Sequence, residues 1–477
     1  MRFLAEAASR GSGFVVAPLL AWSLGASVFG SYTQVLALTF ALVPIVSAGM
    51  GYTVIRQLAG SQDDYSSRTT LSAAVGIISL VCAGLGVLLV AFSSEVTSYL
   101  SLDVAVSAAS LMVAVALLSW LVALEALIQE YLRAMQMVRQ SLYVQLASIG
   151  IHLAALLVAA YLGSLSIWLA LILLGASKLM VISILLSVTV FKIKNRGSNY
   201  FSIPATRTLL AGIPFMLAGL AEWASNLGDR LVVGKYLGPE IVAQYVAAAM
   251  LLSSIAALGA PLWWLLFPEM VKYTKLSDWK RCKEKVQYRT TVFIELSFPT
   301  LCLLSLLADP LISLLVNTRS TGMSAVVFML GIAVLLNQVS TGWEYFVIAM
   351  SSGKQLVAVT VCCLATGFLI ALLAAPVWGI FGVALGILFG KLLLAGSLAY
   401  LANRVGFSGV VWKVNPAAVI LGANLMIFIL VSIIAHFVSP ANAISKIVLG
   451  GGMFLFLQAI AYAGYFRLGG ITQLRSV

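Results

Sequence analysis

Two lysines stand where a charged side chain is costly. Lys178 lies eleven residues into one long apolar run and Lys391 twelve residues into another. At about 1.5 Å of rise per residue, both fall near the centre of a bilayer. An ammonium at that depth costs about 2.5–3.5 kcal/mol to insert, and it is tolerated only beside a wet cavity or a counter-charge. The two positions are 213 residues apart. On repeat-related helices they would put positive charge on both walls of one cleft, and the chemistry that suits such a cleft is the holding of an anion. Arg10, Arg56, Arg133 and Arg139 would extend the field to the cytoplasmic mouth, and Arg230 sits towards the opposite end of its run, next to Asp229. The competing reading is that buried carboxylates neutralise the lysines privately, with Glu222 the obvious partner. Glu125, Glu130, Glu222, Glu295 and Glu344 all fall within apolar runs, and any of them could bind a proton or Na⁺. Glu130 and Glu344 suit a gating role equally well, and Asp229 joins the ion-coupling candidates.

Machinery for other chemistry is missing. The five cysteines and two histidines lack the spacing that metal binding or thiol exchange needs, so no metal site, catalytic site or bound cofactor is expected. Gly386 with Gly390-Lys391 resembles a phosphate loop, but the spacing is one short, Leu392 replaces the hydroxyl residue, and the stretch reads as a membrane helix. Gly382, Gly386 and Gly390 at four-residue intervals form instead a small-residue stripe along which helix backbones can approach. The pair Asp63-Asp64 reads as a solvated loop, and no outer loop is long enough to present catalytic carboxylates.

The elements that must position these residues are membrane helices. Of 477 residues, 62% are hydrophobic and 9% charged, which excludes a water-soluble enzyme. The net charge of +12 suggests no nucleic-acid partner in so apolar a chain, because its basic residues sort by membrane side. Apolar runs fall near 5–25, 32–55, 71–92, 104–128, 141–162, 167–190, 208–234, 241–267, 291–316, 323–349, 355–377, 379–402, 415–437 and 446–466, about fourteen spans in all. That division puts 22 of the 28 basic residues on one side, which marks both termini as cytoplasmic. Between spans 8 and 9, Tyr273, Leu276, Trp279, Cys282 and Val286 recur at helical spacing among seven basic residues, predicting a separate interfacial helix over 271–290.

The chain also repeats. Leu24-Gly25 through Tyr32 aligns on Leu237-Gly238 through Tyr245, and Glu130-Tyr131 aligns on Glu344-Tyr345. The expected fold is therefore an all-α polytopic membrane protein of two pseudo-symmetric six-helix bundles, 1–200 and 201–405, with an unpaired helix pair over 406–477.

Several short motifs carry a family resemblance. Arg10-Gly11, Leu24-Gly25-x-x-x-Phe29-Gly30-x-Tyr32, Asp229-Arg230-x-x-x-Gly234-x-x-Leu237-Gly238, Phe267-Pro268-Glu269 and Asp309-Pro310-Leu311-Ile312 are similar to those of the Wzx-type polysaccharide flippases. These belong to the multidrug/oligosaccharidyl-lipid/polysaccharide exporter superfamily. The resemblance implies a bacterial inner-membrane flippase in which two bundles form a V around a cationic cavity that opens alternately to each side. Its cargo would be an undecaprenyl-diphosphate-linked oligosaccharide for surface polysaccharide such as O-antigen, with H⁺ or Na⁺ as the coupling ion. Partners would be that lipid-linked sugar, membrane lipid, and the polymerase and chain-length proteins of the same pathway. Lys178 and Lys391 would hold the diphosphate, with Arg10, Arg56 and Arg230 at the mouths. Trp22, Trp223, Trp263 and Trp264 would offer sugar-stacking surfaces. Fourteen spans resemble the lipid II flippase branch, whereas drug exporters stop at twelve. Moving two negative charges outward across an inside-negative membrane releases about 4.6 kcal/mol per 100 mV. The rival readings are a drug/cation antiporter of the same architecture, which calls for an acidic cavity, and a membrane-embedded glycan polymerase or transferase.

Overall fold

Hydrocarbon offers peptide groups no partners, so an apolar chain must close its hydrogen bonds within each segment. The computed structural model describes residues 2–51, 64–100, 107–134, 137–192, 205–276, 278–350, 353–404, 422–431, 445 and 447–467, and among these there is helix but no strand. By packing, the chain divides into two compact units, Met1–Ala243 and Gln244–Val477.

The first unit holds α1 (Arg2–Leu24), α2 (Ala26–Ser47), α3 (Asp64–Ala91), the short α4 (Ser93–Tyr99), α5 (Ala108–Ala134), α6 (Val138–Tyr161), α7 (Ile167–Lys192), α8 (Ala205–Trp223) and α9 (Asp229–Leu237). Helix α5 is central, packing against α2, α3 and α7, and α6 lies between α1 and α7. Helices α8 and α9, from the seventh expected span, lie along α2. Close approach there depends on glycine: Gly30 abuts the backbone of Pro239, and Gly49 abuts that of Gly212. Lys235 sits over the Tyr99 ring, 3.8 Å from its centroid, tying α9 to α4. The Tyr99 hydroxyl holds the Lys235 ammonium above its ordinary range.

Helix α10 (Pro239–Lys275) runs from the end of the first unit into the second, which continues with α11 (Trp279–Leu306), α12 (Ala308–Val316), α13 (Met323–Met350), α14 (Gly353–Arg404), α15 (Gly422–Val431) and α16 (Gly452–Arg467). Helix α14 reverses at Gly379, whose φ of 58° and ψ of −137° break it into two legs. These are the expected spans 355–377 and 379–402. The glycine stripe lies between the legs as predicted: a Cβ on Gly386 would stand 2.3 Å from the Ala371 nitrogen, and Gly367 and Gly390 meet backbone to backbone.

The internal repeat is visible in the backbone. Gly25 (φ 87°, ψ 157°) joins α1 to α2, and Gly238 (φ 86°, ψ 167°) joins α9 to α10. That conformation is open essentially to glycine alone. Two glycines 213 residues apart thus make the same corner between the same kind of helices.

One expectation is corrected. No separate interfacial helix occupies 271–290, because α10 continues to Lys275 and α11 begins at Trp279. The Asp278 side chain accepts a hydrogen bond from the Arg281 amide at 3.2 Å and so caps α11, which carries the basic residues on its first turns.

Eight helices of the described residues are long and apolar enough to cross a membrane, and shorter apolar helices accompany them. Large apolar side chains are exposed along them, including Leu80, Val87, Leu373 and Val377. Water would not tolerate such a surface, whereas acyl chains match it. The protein is a multi-pass membrane protein.

Candidate functional site

Both deep lysines have partners, each within its own unit. In the first, the Lys178 ammonium on α7 lies 2.8 Å from Glu125 Oε2 on α5. Glu125 is 5% exposed, and its other oxygen accepts a hydrogen bond from Gln129 Nε2, one turn along α5, at 3.3 Å. In the second unit Lys391, on the second leg of α14, is 7% exposed and donates to Asn337 Oδ1 on α13 at 3.0 Å. The geometry repeats: in each half the sixth span reaches the fourth. The partner differs, a carboxylate in one case and an amide in the other.

Glu125 cancels the Lys178 charge, whereas Asn337, one of the partners of Lys391, is an uncharged amide. The private pairing weighed against the cavity reading is therefore what the structure holds at Lys178. Its partner is Glu125 rather than Glu222, which is exposed at the end of α8.

Beyond Glu222 a π-helical turn, Ala224–Gly228, precedes α9. Such turns recur at functional sites because the extra residue re-aims the side chains that follow. Here they are Asp229, buried and accepting from the Arg230 amide at 2.8 Å, and Arg230 itself, half-buried. Glu130 and Glu344 are half-buried too, and all four take part in further polar or ring interactions. The Arg10 side chain and the whole of Arg56 lie outside the described residues.

The tryptophans divide by role. Trp223 donates to the Ala37 carbonyl at 2.9 Å, fastening α8 to α2. Trp263 is 3% exposed and packs against Phe293, their centroids 5.9 Å apart, so its face is covered. Trp22 is exposed near the end of α1, and the Trp264 side chain lies outside the described residues.

Other motif residues hold the frame. Glu269 of the Phe-Pro-Glu motif pairs with Arg289 at 2.9 Å, and Arg289 also donates to the Leu262 carbonyl at 2.6 Å, clamping α11 to α10. Asp309 accepts from the Met323 amide at 2.9 Å and so caps α13. Gly234 leaves room for Gln34, whose fully buried amide occupies the place a Cβ would take and has no partner among the described residues. Sequence reasoning passed over Gln34, Gln129, His152 and Asn337. Each is a polar side chain inside an apolar run, and that signal could have flagged them. An apolar groove of about 590 Å³ opens between α3 and α5, lined by Cys82, Gly86, Ala116, Leu117 and Trp120. It suits a hydrocarbon chain and no charged group. No cluster of metal ligands occurs among the described residues.

Known proteins supply a frame for this arrangement. Residues 2–274 match a family described as polysaccharide biosynthesis protein. No curated protein sequence matches the chain. Among solved structures, the lipid II flippase MurJ in an inward closed conformation is similar at a TM-score of 0.69 and 14% identity, covering 97% of this chain and 99% of its own. An inward-facing multidrug resistance MATE family transporter of the MOP superfamily has a TM-score of 0.64 at 14% identity, covering 84% of this chain and 94% of its own. The MATE multidrug transporter DinF-BH has a TM-score of 0.62 at 12% identity, covering 85% of this chain and 95% of its own. These likenesses establish the fold.

Proposed function

Since the chain belongs to the polysaccharide biosynthesis protein family, we propose that it is a flippase carrying polyprenyl-diphosphate-linked oligosaccharides from the cytoplasmic to the outer leaflet of a bacterial inner membrane. It acts as a membrane transporter, not as an enzyme. The observation that carries the reading is the family match joined to the extent of the fold match: the lipid II flippase covers 97% of the chain, and the multidrug transporters leave about a sixth of it unmatched.

The physical task is narrow. A sugar and a diphosphate cannot cross about 30 Å of hydrocarbon unaided, whereas a polyprenyl tail stays in it at no cost. The protein need shield only the head group. In this reading Lys391, buried on the second leg of α14, is the deep contact for the diphosphate, and Arg10, Arg56 and Arg230 guide the anion at the mouths. Lys178, neutralised by Glu125, is a lesser ligand. Alternating exposure of the site to the two sides completes transfer, and the membrane potential favours outward movement of the anion. The termini are cytoplasmic.

In a strain whose surface polysaccharide depends on this protein, Lys391→Ala should abolish the polysaccharide at normal protein abundance, and Lys391→Arg should retain part of it. Normal export by the alanine variant would remove Lys391 from the cargo site. A drug/cation antiporter is the second reading, favoured by the MATE-like fold and by the neutral Lys178–Glu125 pair. It predicts cation efflux with no effect on surface polysaccharide.

A further inference from the structure

A quarter of the chain's positive charge stands in one place: residues 272–289 hold seven of its 28 Lys and Arg, against two carboxylates. One of the seven, Arg289, belongs to the clamp between α10 and α11. Others stay open. Lys280 and Lys285, in the first turns of α11, are exposed, and their side chains make no ion pair or hydrogen bond with the described residues. Arg281 lies 3.3 Å from Asp278, but its side chain is 66% exposed and keeps donors to spare.

The helix sorts these groups by face. Cys282, Val286 and Thr290 are buried, and a Cβ on Gly342 of α13 would stand 3.0 Å from Val286. The opposite face carries Arg281, Lys285, Tyr288 and Leu296, all exposed, at spacings that keep them in one stripe. At about 1.5 Å of rise per residue, Tyr288 lies about 10 Å along the axis from Arg281, and Leu296 about 12 Å further. Charge, then phenol, then hydrocarbon is the order met on passing from the headgroups of a leaflet into its core. Beside the cations, Leu276 and Trp279 are exposed as well, and the Trp279 ring is held edge-on by Phe346 of α13, centroids 5.9 Å apart. The helix that carries the cations is therefore fixed in its own unit.

We propose that the first two turns of α11 bind the headgroup of an anionic phospholipid. Arg281 and Lys285, one turn and about 6 Å apart along the helix, hold its phosphodiester, and Lys280 adds positive charge beside them. An acyl chain of the same lipid runs past Tyr288 along Leu296. A soluble anion would match the cations but leave Leu276, Trp279 and Tyr288 facing water. A zwitterionic lipid would cover those side chains but bring a cation of its own to the site. An anionic phospholipid meets both the charge and the apolar surface. The proposal is independent of what the protein carries across the membrane.

The test is native mass spectrometry of the full chain released from neutral detergent, titrated with phosphatidylglycerol or with phosphatidylcholine of the same acyl chains. The wild-type chain should take its first phosphatidylglycerol well before its first phosphatidylcholine. Arg281→Gln should weaken that first adduct about fivefold, and Arg281→Gln with Lys285→Gln about 30-fold, at about fivefold for each cation, while phosphatidylcholine binding stays as it was. Both side chains are exposed, so these variants should melt with the wild-type protein. Arg319→Gln with Arg404→Gln removes the same charge from exposed positions elsewhere and should leave the preference intact. Glycerophosphoglycerol, the headgroup without its chains, should bind far more weakly than the lipid. A wild-type chain that takes both lipids alike, a preference that survives the double substitution, or an equal loss in the Arg319 and Arg404 variant overturns the proposal. Glycerophosphoglycerol binding as tightly as the lipid would also overturn it, since the occupant would then be a soluble anion.

Discussion

Replacing Gly386 by alanine would place a methyl carbon 2.3 Å from the amide nitrogen of Ala371, 2.5 Å from its Cα and 2.7 Å from its Cβ. Ordinary contact begins near 3.4 Å, so the two legs of α14 must part by about 1 Å, and the obstacle is backbone that has no rotamer to change. Overpacking of this kind costs about 1–3 kcal/mol. Alanine returns about 0.5–1 kcal/mol of helix propensity, leaving a net loss of about 1–2 kcal/mol. The parting would also spread to the Gly367–Gly390 approach and displace the adjacent Lys391 from Asn337. At about 2–4 °C per kcal/mol for a unit of this size, the melting temperature of the purified protein, followed by tryptophan fluorescence, should fall by about 2–8 °C. Gly396, in the same leg with nothing within 4 Å of its would-be Cβ, is the control, and its alanine variant should melt at or slightly above the wild-type temperature. A Gly386→Ala protein as stable as Gly396→Ala would refute the claim that backbone contact along this stripe holds the legs together.

Lys178→Met leaves Glu125 buried without its cation and should destabilise by about 3 kcal/mol, at the low end for a buried pair because Lys178 is partly exposed. Lys178→Met with Glu125→Leu should recover most of that loss in chemical denaturation, and a double variant no better than the single would show that the pair does not matter. Asp309→Ala removes the cap on α13 and should cost about 1 kcal/mol by the same assay, with Asp309→Asn costing less. Gly234→Ala collides with the buried Gln34 amide and should lower the melting temperature. Gln34→Ala should restore it in the double variant, since that amide gives up no hydrogen bond among the described residues.

Much of the fold could be read in the amino acids because the membrane imposes a single rule, helix wherever the run is apolar. The glycine stripe was legible for the same reason: four-residue spacing of the smallest side chain has few uses beyond close approach. Leu24-Gly25 and Leu237-Gly238 announced a repeat that their backbone angles bear out. The depth of Lys178 and Lys391 was also legible, but their partners were not. Choosing Glu125 over Glu222 requires the rotation of α5, α7 and α8 about their axes, and helices apolar on every side give no face from which to read it. The mistaken helix over 271–290 came from following an amphipathic pattern past Asp278, whose capping chemistry already marked the start of α11. Asn337 and His152 were missed because a single polar residue in an apolar run gives no period to detect.

The central claim is that the cargo is a lipid-linked sugar. Purified protein in liposomes bearing a fluorescent polyprenyl-diphosphate oligosaccharide in one leaflet, with a membrane-impermeant quencher added outside, reads movement of that cargo directly. The account predicts label crossing between leaflets at a rate that depends on the protein and falls sharply with Lys391→Ala. Label that stays in its leaflet while the same liposomes expel a lipophilic cation would contradict it.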